Sequence, residues 1–344
     1  MPGPRQQPTM MDVAQRAGVS PMTVSRALKD GTSVSAKTRE KVAKAAEDLG
    51  YVFDSTASNL RSQKSNFVAV TIPSINNANF AQTVRGLSDG LRPSGLQILL
   101  GYTDYDTAQE EQLIEQLLTR RPEAIVVTGG KHTPRARRLL ENAGIPVVET
   151  WDLPEDPIGN VVGFSNAAAV GRLVDHLVEQ GRRKIAFIGG DTTRDTRGAD
   201  RRLGFLHAME RHGLLPDRLI AVGTPPISMR EGANAMGRLL DTMPDTEAVI
   251  CVSDLSAFGA LTECQRRGVA VPDRMSVAGF GDYDIGQICV PSMTTINPFP
   301  IEIGQQAARV ILDLLEGKPT DRILTIVPEL LVRESTQLTP SHRV

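Results

Sequence analysis

Residues 12–28 read DVAQRAGVSPMTVSRAL, from Asp12 to Leu28. Two short helices meet here at a glycine. Thr9 and Asp12, three residues apart, have the form of a capping box, with Thr9 as the N-cap. The apolar positions of the first helix are Val13, Ala14 and Ala17. Gly18 ends it, because glycine tolerates the left-handed backbone that follows a helix. Ser20 caps the next helix, and Pro21 fits its first turn, where no N–H partner is lost. This second helix continues from Met22 to Leu28, with Val24 and Leu28 on one face. A third helix runs from about Ser35 to Asp48, turns Val42, Ala45, Ala46 and Leu49 inward, and stops at Gly50. Two short helices joined at Ala-Gly-Val-Ser form a helix-turn-helix pattern, whose second helix enters a DNA major groove. A small three-helix bundle without a DNA role is the competing reading. It is disfavoured by Ser, Thr and Arg at the exposed positions where a groove needs them.

The chain has 344 residues, room for two or three domains, and is 40% hydrophobic and 23% charged, as a packed globule requires. Aromatics are only 4%, so Val, Ile, Leu and Ala must fill the core. The three cysteines (Cys251, Cys264, Cys289) form no CxxC pair, which fits buried thiols in a reducing cytoplasm. No apolar run is long enough for a membrane span, and MPGPRQQPTM has no signal-peptide core. Charge is uneven. Residues 1–65 carry ten Lys/Arg and six Asp/Glu, whereas the rest carries 28 and 34. A basic end on an acidic body suggests that the end alone meets a polyanion.

From about residue 65, apolar β-branched runs alternate with amphipathic helical patterns. Strand candidates are 67–72, 96–100, 124–128, 147–150, 161–164, 184–188, 248–252 and 276–280. Helices between them include 108–118, 167–180, 255–267 and 301–316. Strands with intervening helices mean a parallel α/β sheet with right-handed crossovers. The stretch is long for one sheet, so two sheets with a cleft between them are expected. The chain would cross between them near 164, 296 and 325. Ligands of such sheets bind beyond the carboxyl ends of the strands. The loop after the strand at 184–188 carries Arg194, Arg197, Arg201 and Arg202, and Arg suits forked recognition of carboxylate or phosphate. An enzyme finds little support. Gly279, Gly281 and Gly286 have the wrong spacing for GxGxxG, and neither a P-loop nor GxSxG occurs. The five histidines show no metal spacing, so neither metal nor cofactor is expected. A transport-type binding protein would need a signal sequence and would not need residues 1–62.

The string at 12–28 closely resembles the headpiece signature of lac-repressor family regulators. VAVTIPSINNANFAQTVRGL, RRKIAFIGG, AVICVSDLSAFGALTECQRRGVAVPDRMSVAGFGDYDI and PSMTTINPF resemble the same family's core. The resemblance covers nearly the whole chain. It implies an all-α helix-turn-helix headpiece (1–53), a hinge helix (54–64), and a periplasmic-binding-protein-like core of two parallel-sheet α/β subdomains (65–338), followed by a tail (339–344). It places Pro21, Met22 and Arg26 at base-reading positions. Arg26 suits guanine O6 and N7, while Pro21 and Met22 suit apolar edges such as thymine methyls. Thr9, Ser20, Thr23 and Ser25 become phosphate contacts or caps. Residues 51–61 resemble the hinge helix, with Phe53 in place of the usual proline. There Ala57 would pack near the dyad and Leu60 would wedge into the minor groove, or else serve as an ordinary linker contact.

In the core, the resemblance puts the effector on Arg201, with Arg194 and Thr196 at further pocket positions. Ser74, Asn79, Phe80, Thr128, Lys131, Glu149, Asp152, Ser253 and Asp254 are the other candidates. Asp254 either faces the ligand or caps the following helix. Trp151 either stacks on the ligand or packs. His132, alone in a loop, reads as plain surface more readily than as a ligand contact. Related sugar and purine receptors often carry an acid where this chain has Gly281. Loss of that charge beside several arginines favours an anionic ligand. IPVVETWD and TGGKHTPR look like strings of gluconate-utilisation repressors, so an aldonate is expected, gluconate or its 6-phosphate. The implied partners are palindromic operator DNA and a second copy of the chain, with no membrane. Ligand-driven release is expected; a neutral sugar or a corepressor is the alternative. Thr339–Val344 lacks heptad leucines, which argues against a tetramerising coiled coil.

Overall fold

The computed structural model describes residues 7–28, 34–53, 65–190 and 193–338. The chain divides into two compact units, Met1–Lys64 and Ser65–Val344. The expected hinge helix at 54–64, with Ala57 and Leu60, and the tail at 339–344 lie outside the described residues.

The first unit contains α1 (Met10–Ala17), α2 (Pro21–Leu28) and α3 (Ala36–Leu49). Its start and stop signals are local. The Thr9 hydroxyl accepts from the Asp12 N–H at 3.3 Å, and the Asp12 carboxylate accepts from the Thr9 N–H at 2.8 Å. Gly18 follows α1 with φ of 63°, a left-handed conformation that favours glycine. The Ser20 hydroxyl accepts from the Thr23 N–H at 3.2 Å, so it caps α2. Val13, Ala14, Ala17, Val24, Ala27, Val42, Ala45 and Ala46 form a buried core between the three helices. Arg16 on α1 also pairs with Asp48 on α3 at 2.9 Å.

The second unit holds twelve strands among its described residues: β1 (Phe67–Ile72), β2 (Gln97–Tyr102), β3 (Ala124–Thr128), β4 (Val147–Thr150), β5 (Asn160–Gly163), β6 (Ile185–Gly189), β7 (Leu219–Ala221), β8 (Ala248–Cys251), β9 (Ser276–Ala278), β10 (Thr295–Asn297), β11 (Ile323–Thr325) and β12 (Glu329–Leu331). The helices are α4 (Ala78–Leu91), α5 (Thr107–Leu118), α6 (Pro134–Glu141), α7 (Asn166–Glu179), α8 (Thr196–Arg211), α9 (Met229–Thr242), α10 (Asp254–Arg266), α11 (Asp284–Ile288) and α12 (Pro300–Leu315).

One parallel sheet has the order β11-β5-β4-β3-β1-β2, and a second has the order β7-β6-β8-β9. Each anchors a lobe with helices on its faces, as the β-branched strands and amphipathic helices demand. The chain passes between lobes after β5, after β10 and between β11 and β12, with β10 and β12 paired antiparallel. β2 begins one residue later and ends two residues further on than its apolar run suggests. It is an edge strand, and Leu99, Leu100 and Tyr102 stay exposed on it. Two helix pairs pack backbone against backbone. A Cβ on Gly204 of α8 would lie 2.1 Å from the Ala167 carbonyl oxygen of α7, and one on Gly304 of α12 would lie 2.1 Å from that of Thr83 on α4. Among the described residues, no helix is long and apolar enough to cross a membrane.

Candidate functional site

On the headpiece, α2 buries Val24 and Ala27 and turns Pro21, Met22 and Arg26 outward, with Thr23 and Ser25 half-buried. Met22 is 63% exposed, far more than packing in the small bundle would leave it. Three side chains of different chemistry therefore share the exposed face of α2. Thr9 and Ser20 spend their hydroxyls on the caps of α1 and α2.

In the core, the loops after β1, β4, β6, β8 and β9 surround a cavity of about 270 Å³ at the carboxyl ends of both sheets. Arg197 and Arg201 enter it from α8. Arg197 is 5% exposed, and its guanidinium lies 5.6 Å from the Phe80 ring centre and 5.9 Å from that of Tyr105. Among the described residues its polar partner is the Thr128 carbonyl, to which Nη1 donates at 3.4 Å. The Arg201 guanidinium stacks on Phe280 at 3.6 Å. It donates from Nε to Asn166 Oδ1 and from Nη1 to the Val252 carbonyl, both at 2.9 Å. Burial, with Arg197 nearby, pushes its pKa down to about 10 against the opposing pull of Asp195. No carboxylate oxygen among the described residues lies within 4.0 Å of either guanidinium. Two cations thus stand in a partly desolvated space that Asp195 also lines, and no carboxylate among the described residues touches either of them, an arrangement that leaves net positive charge for an incoming anion.

Facing them are Asn76, Asn77, Asn79 and Ser253, which offer neutral donors and acceptors. The wall is aromatic: Trp151 meets Phe80 at 5.3 Å and Phe164 at 5.8 Å, both edge to face. Trp151 is 1% exposed and its Nε1 donates to Thr83 Oγ1 at 3.1 Å, so it packs and presents only an edge to the cavity. The Tyr283 hydroxyl donates to Asn77 Oδ1 at 2.8 Å, joining the lobes at one rim.

Asn79, Phe80, Arg201 and Ser253 therefore meet in this cavity. Thr128, Lys131, Arg194 and Thr196 line a smaller outer recess that shares Tyr105 and Arg197 with it. Both basic groups there are engaged: Lys131 pairs with Asp200 at 3.0 Å, and Arg194 donates to the Asp104 carbonyl at 3.0 Å. Arg202 lines a separate recess with Gly189 and Gly190.

Other candidates lie elsewhere. The Ser74 hydroxyl accepts from the Asn76 N–H and shapes the loop. Glu149, on β4, is buried and accepts from the N–H groups of Ile158 and Gly159 at 2.7 and 3.3 Å. Asp254 neither faces the cavity nor caps its helix. Ser253 is the cap, and Asp254 points inward to accept from Thr295 Oγ1 at 2.6 Å and the Tyr283 N–H at 2.8 Å. Burial raises its pKa to about 6, despite these hydrogen bonds. Asp152 is buried beside the cavity, its pKa raised by burial and by Asp200. His132 is not surface. Its imidazole is sealed between Glu110 at 2.8 Å and Glu149 at 3.8 Å. Gly281 abuts the wall: a Cβ there would lie 2.5 Å from the Tyr283 ring and 2.8 Å from Asn79 Nδ2.

Sequence reasoning named Arg197 within the arginine run without singling it out, and it passed over Tyr105, Tyr283 and Asn77. The signal for Arg197 was present, since it stands four residues before Arg201 on one helix. The tyrosines gave none, because the contacts that place them are long-range. Among the described residues, no group of His, Cys, Asp and Glu could hold a metal ion.

Residues 9–54 match the bacterial regulatory proteins, lacI family, and residues 174–336 match the periplasmic binding protein-like domain. The HTH-type transcriptional regulator GntR of Pseudomonas aeruginosa is 39% identical over 330 residues, 96% of each chain. The regulator of the same name from Escherichia coli is 32% identical over 327 residues, 95% of this chain and 96% of its own. Among solved structures, a Lacl family regulator from Silicibacter pomeroyi superposes with a TM-score of 0.90 at 31% identity, covering 95% of this chain and 99% of its own.

Proposed function

The chain belongs to the lacI family of bacterial transcription regulators, and from that premise we propose that it is a homodimeric repressor released from palindromic operator DNA by a sugar acid of the gluconate class. Membership makes it a DNA-binding regulator and not an enzyme. The finer reading rests on one observation: Arg197 and Arg201 line the same cavity with no carboxylate in contact among the described residues. A ligand carboxylate supplies the missing charge and accepts charge-assisted hydrogen bonds from the guanidinium N–H groups that point into the cavity. The hydroxyls of an aldonate find Asn76, Asn77, Asn79 and Ser253, and its carbon chain lies against Phe80 and Trp151. Gly281 supports the same choice, since no acid stands there to repel the ligand.

On the DNA side, Pro21, Met22 and Arg26 read one half-site, and two copies read a palindrome. The ligand alters DNA affinity only through its different affinity for the two states of the protein. Release follows if the sugar acid prefers the state that binds DNA less well.

The test is titration calorimetry of the intact protein with gluconate, 6-phosphogluconate and glucose, repeated on Arg201→Ala. Binding of an acid that disappears in the variant supports the reading. Tight binding of glucose with no binding of either acid would remove it. A palindromic operator fragment then reports release or retention as the acid is added.

A further inference from the structure

Asn166 opens α7 immediately after the chain first crosses between lobes, and it is 1% exposed. It is not needed as a helix cap, because the Ser165 hydroxyl accepts from the Ala168 N–H at 3.1 Å. Its amide instead bridges two residues of the cavity wall. Oδ1 accepts from Arg201 Nε at 2.9 Å, and Nδ2 donates to the Trp151 carbonyl at 3.0 Å. Chemistry fixes this orientation, since an arginine Nε–H only donates and a carbonyl only accepts.

Both partners are unusual. Arg201 is held at Nε by Asn166, at Nη1 by the Val252 carbonyl and across its plane by Phe280, which leaves Nη2 as the nitrogen without a partner among the described residues. Trp151 has φ of 71°, a left-handed backbone that a bulky residue adopts only when its surroundings impose it. The Asn166 amide is one of those constraints, along with the Trp151 N–H donated to the Val162 carbonyl at 3.2 Å. A carboxylate at position 166 would also accept from Arg201, but it would cancel the cation. A neutral amide orients the guanidinium and leaves its charge available.

The geometry points to Asn166 as a positioning residue that aims the Arg201 guanidinium into the cavity and couples its position to Trp151 in the other lobe. The inference builds on the sugar-acid reading, yet it has a readout of its own. Trp151 is the chain's one tryptophan, so emission excited at wavelengths that only the indole absorbs, and not the four tyrosines, reports this wall alone.

The experiment compares wild type with Asn166→Asp, Asn166→Ala, Arg201→Lys and the double variant Asn166→Ala/Arg201→Lys, all checked for folding by circular dichroism. Tryptophan emission should shift in Asn166→Ala, and also in Arg201→Lys, which frees the amide without altering residue 166. Gluconate affinity should fall about tenfold in Asn166→Ala and at least as far in the near-isosteric Asn166→Asp, where the new charge neutralises the guanidinium. In the Arg201→Lys background, removing Asn166 should cost no further affinity, because no Nε–H remains to be held. Additive losses, or wild-type emission in both Asn166→Ala and Arg201→Lys, would overturn the proposal. Emission shifts in both variants, with no binding of a sugar acid by wild type, would defeat the ligand reading and leave Asn166 as the positioning residue.

Discussion

Arg197 and Arg201 are four residues apart on α8, so one helical turn carries both side chains to the same wall. Arg202, next along the chain, points into a different recess. Arg197→Ala should therefore weaken gluconate binding by about tenfold to a hundredfold, and Arg202→Ala should leave it near wild type; calorimetry on the two variants checks this. A second residue-scale prediction concerns His132. Burial pulls its pKa down, but Glu110 and Glu149 outweigh burial and raise it to about 9. The folded value thus lies above the ~6.5 of a free imidazole. The stabilisation from this cation is complete below about pH 6.5 and is lost as pH rises through about 9. The melting temperature should fall by several degrees across that window, and His132→Gln should flatten the fall; thermal unfolding from pH 6 to 10 reads both. Reading His132 as surface failed for a physical reason. Its partners stand on α5 and β4, and nothing in its own loop announces them.

At the scale of elements, the approach of α7 to α8 matters most, because Asn166 and Arg201 sit on this pair of helices. A methyl on Gly204 would meet the Ala167 carbonyl oxygen at 2.1 Å, so the helices must part to admit it. Gly204→Ala should cost about 1–3 kcal/mol of stability and weaken ligand binding as well; chemical denaturation and calorimetry measure the two losses. Helix ends were legible in the sequence where their determinants are local. Thr9 with Asp12, Gly18 and Ser20 all act as their spacing says. Ser253 and Asp254 were not separable in the same way, since both are capping residue types and stand side by side. Only the buried Thr295 hydroxyl and Tyr283 N–H, far along the chain, draw Asp254 inward. The alternation of strands and helices announced two parallel sheets. It did not announce the extent of β2, an edge strand whose exposed apolar residues carry no inward pattern. The cavity was half legible: strand ends located it and the arginine run supplied its charge, but Tyr105, Tyr283 and Asn77 arrive through contacts without a local signature.

At the scale of the whole molecule, a basic headpiece is carried on a chain that is acidic elsewhere. Operator affinity should fall steeply with salt as phosphate counterions are released, and Arg26→Ala should lower discrimination at one base pair by about 1–3 kcal/mol. Binding of a set of operator variants at several ionic strengths separates the two effects. Linkage is reciprocal: whatever factor gluconate takes from operator affinity, operator must take from gluconate affinity. Titrating gluconate with and without operator fragment tests that equality. The connectivity of the core also bears on how the protein is made. Among the described residues β5, at 160–163, gains its outer neighbour from β11, at 323–325, and the antiparallel partner of β10 is β12. A chain emerging from the ribosome therefore holds a first lobe that cannot complete its sheet until residues 323–325 have been made, about 160 residues after β5. The headpiece needs only the opening residues and can fold as soon as they emerge. During synthesis the DNA-reading part is finished long before the part that answers to the ligand exists.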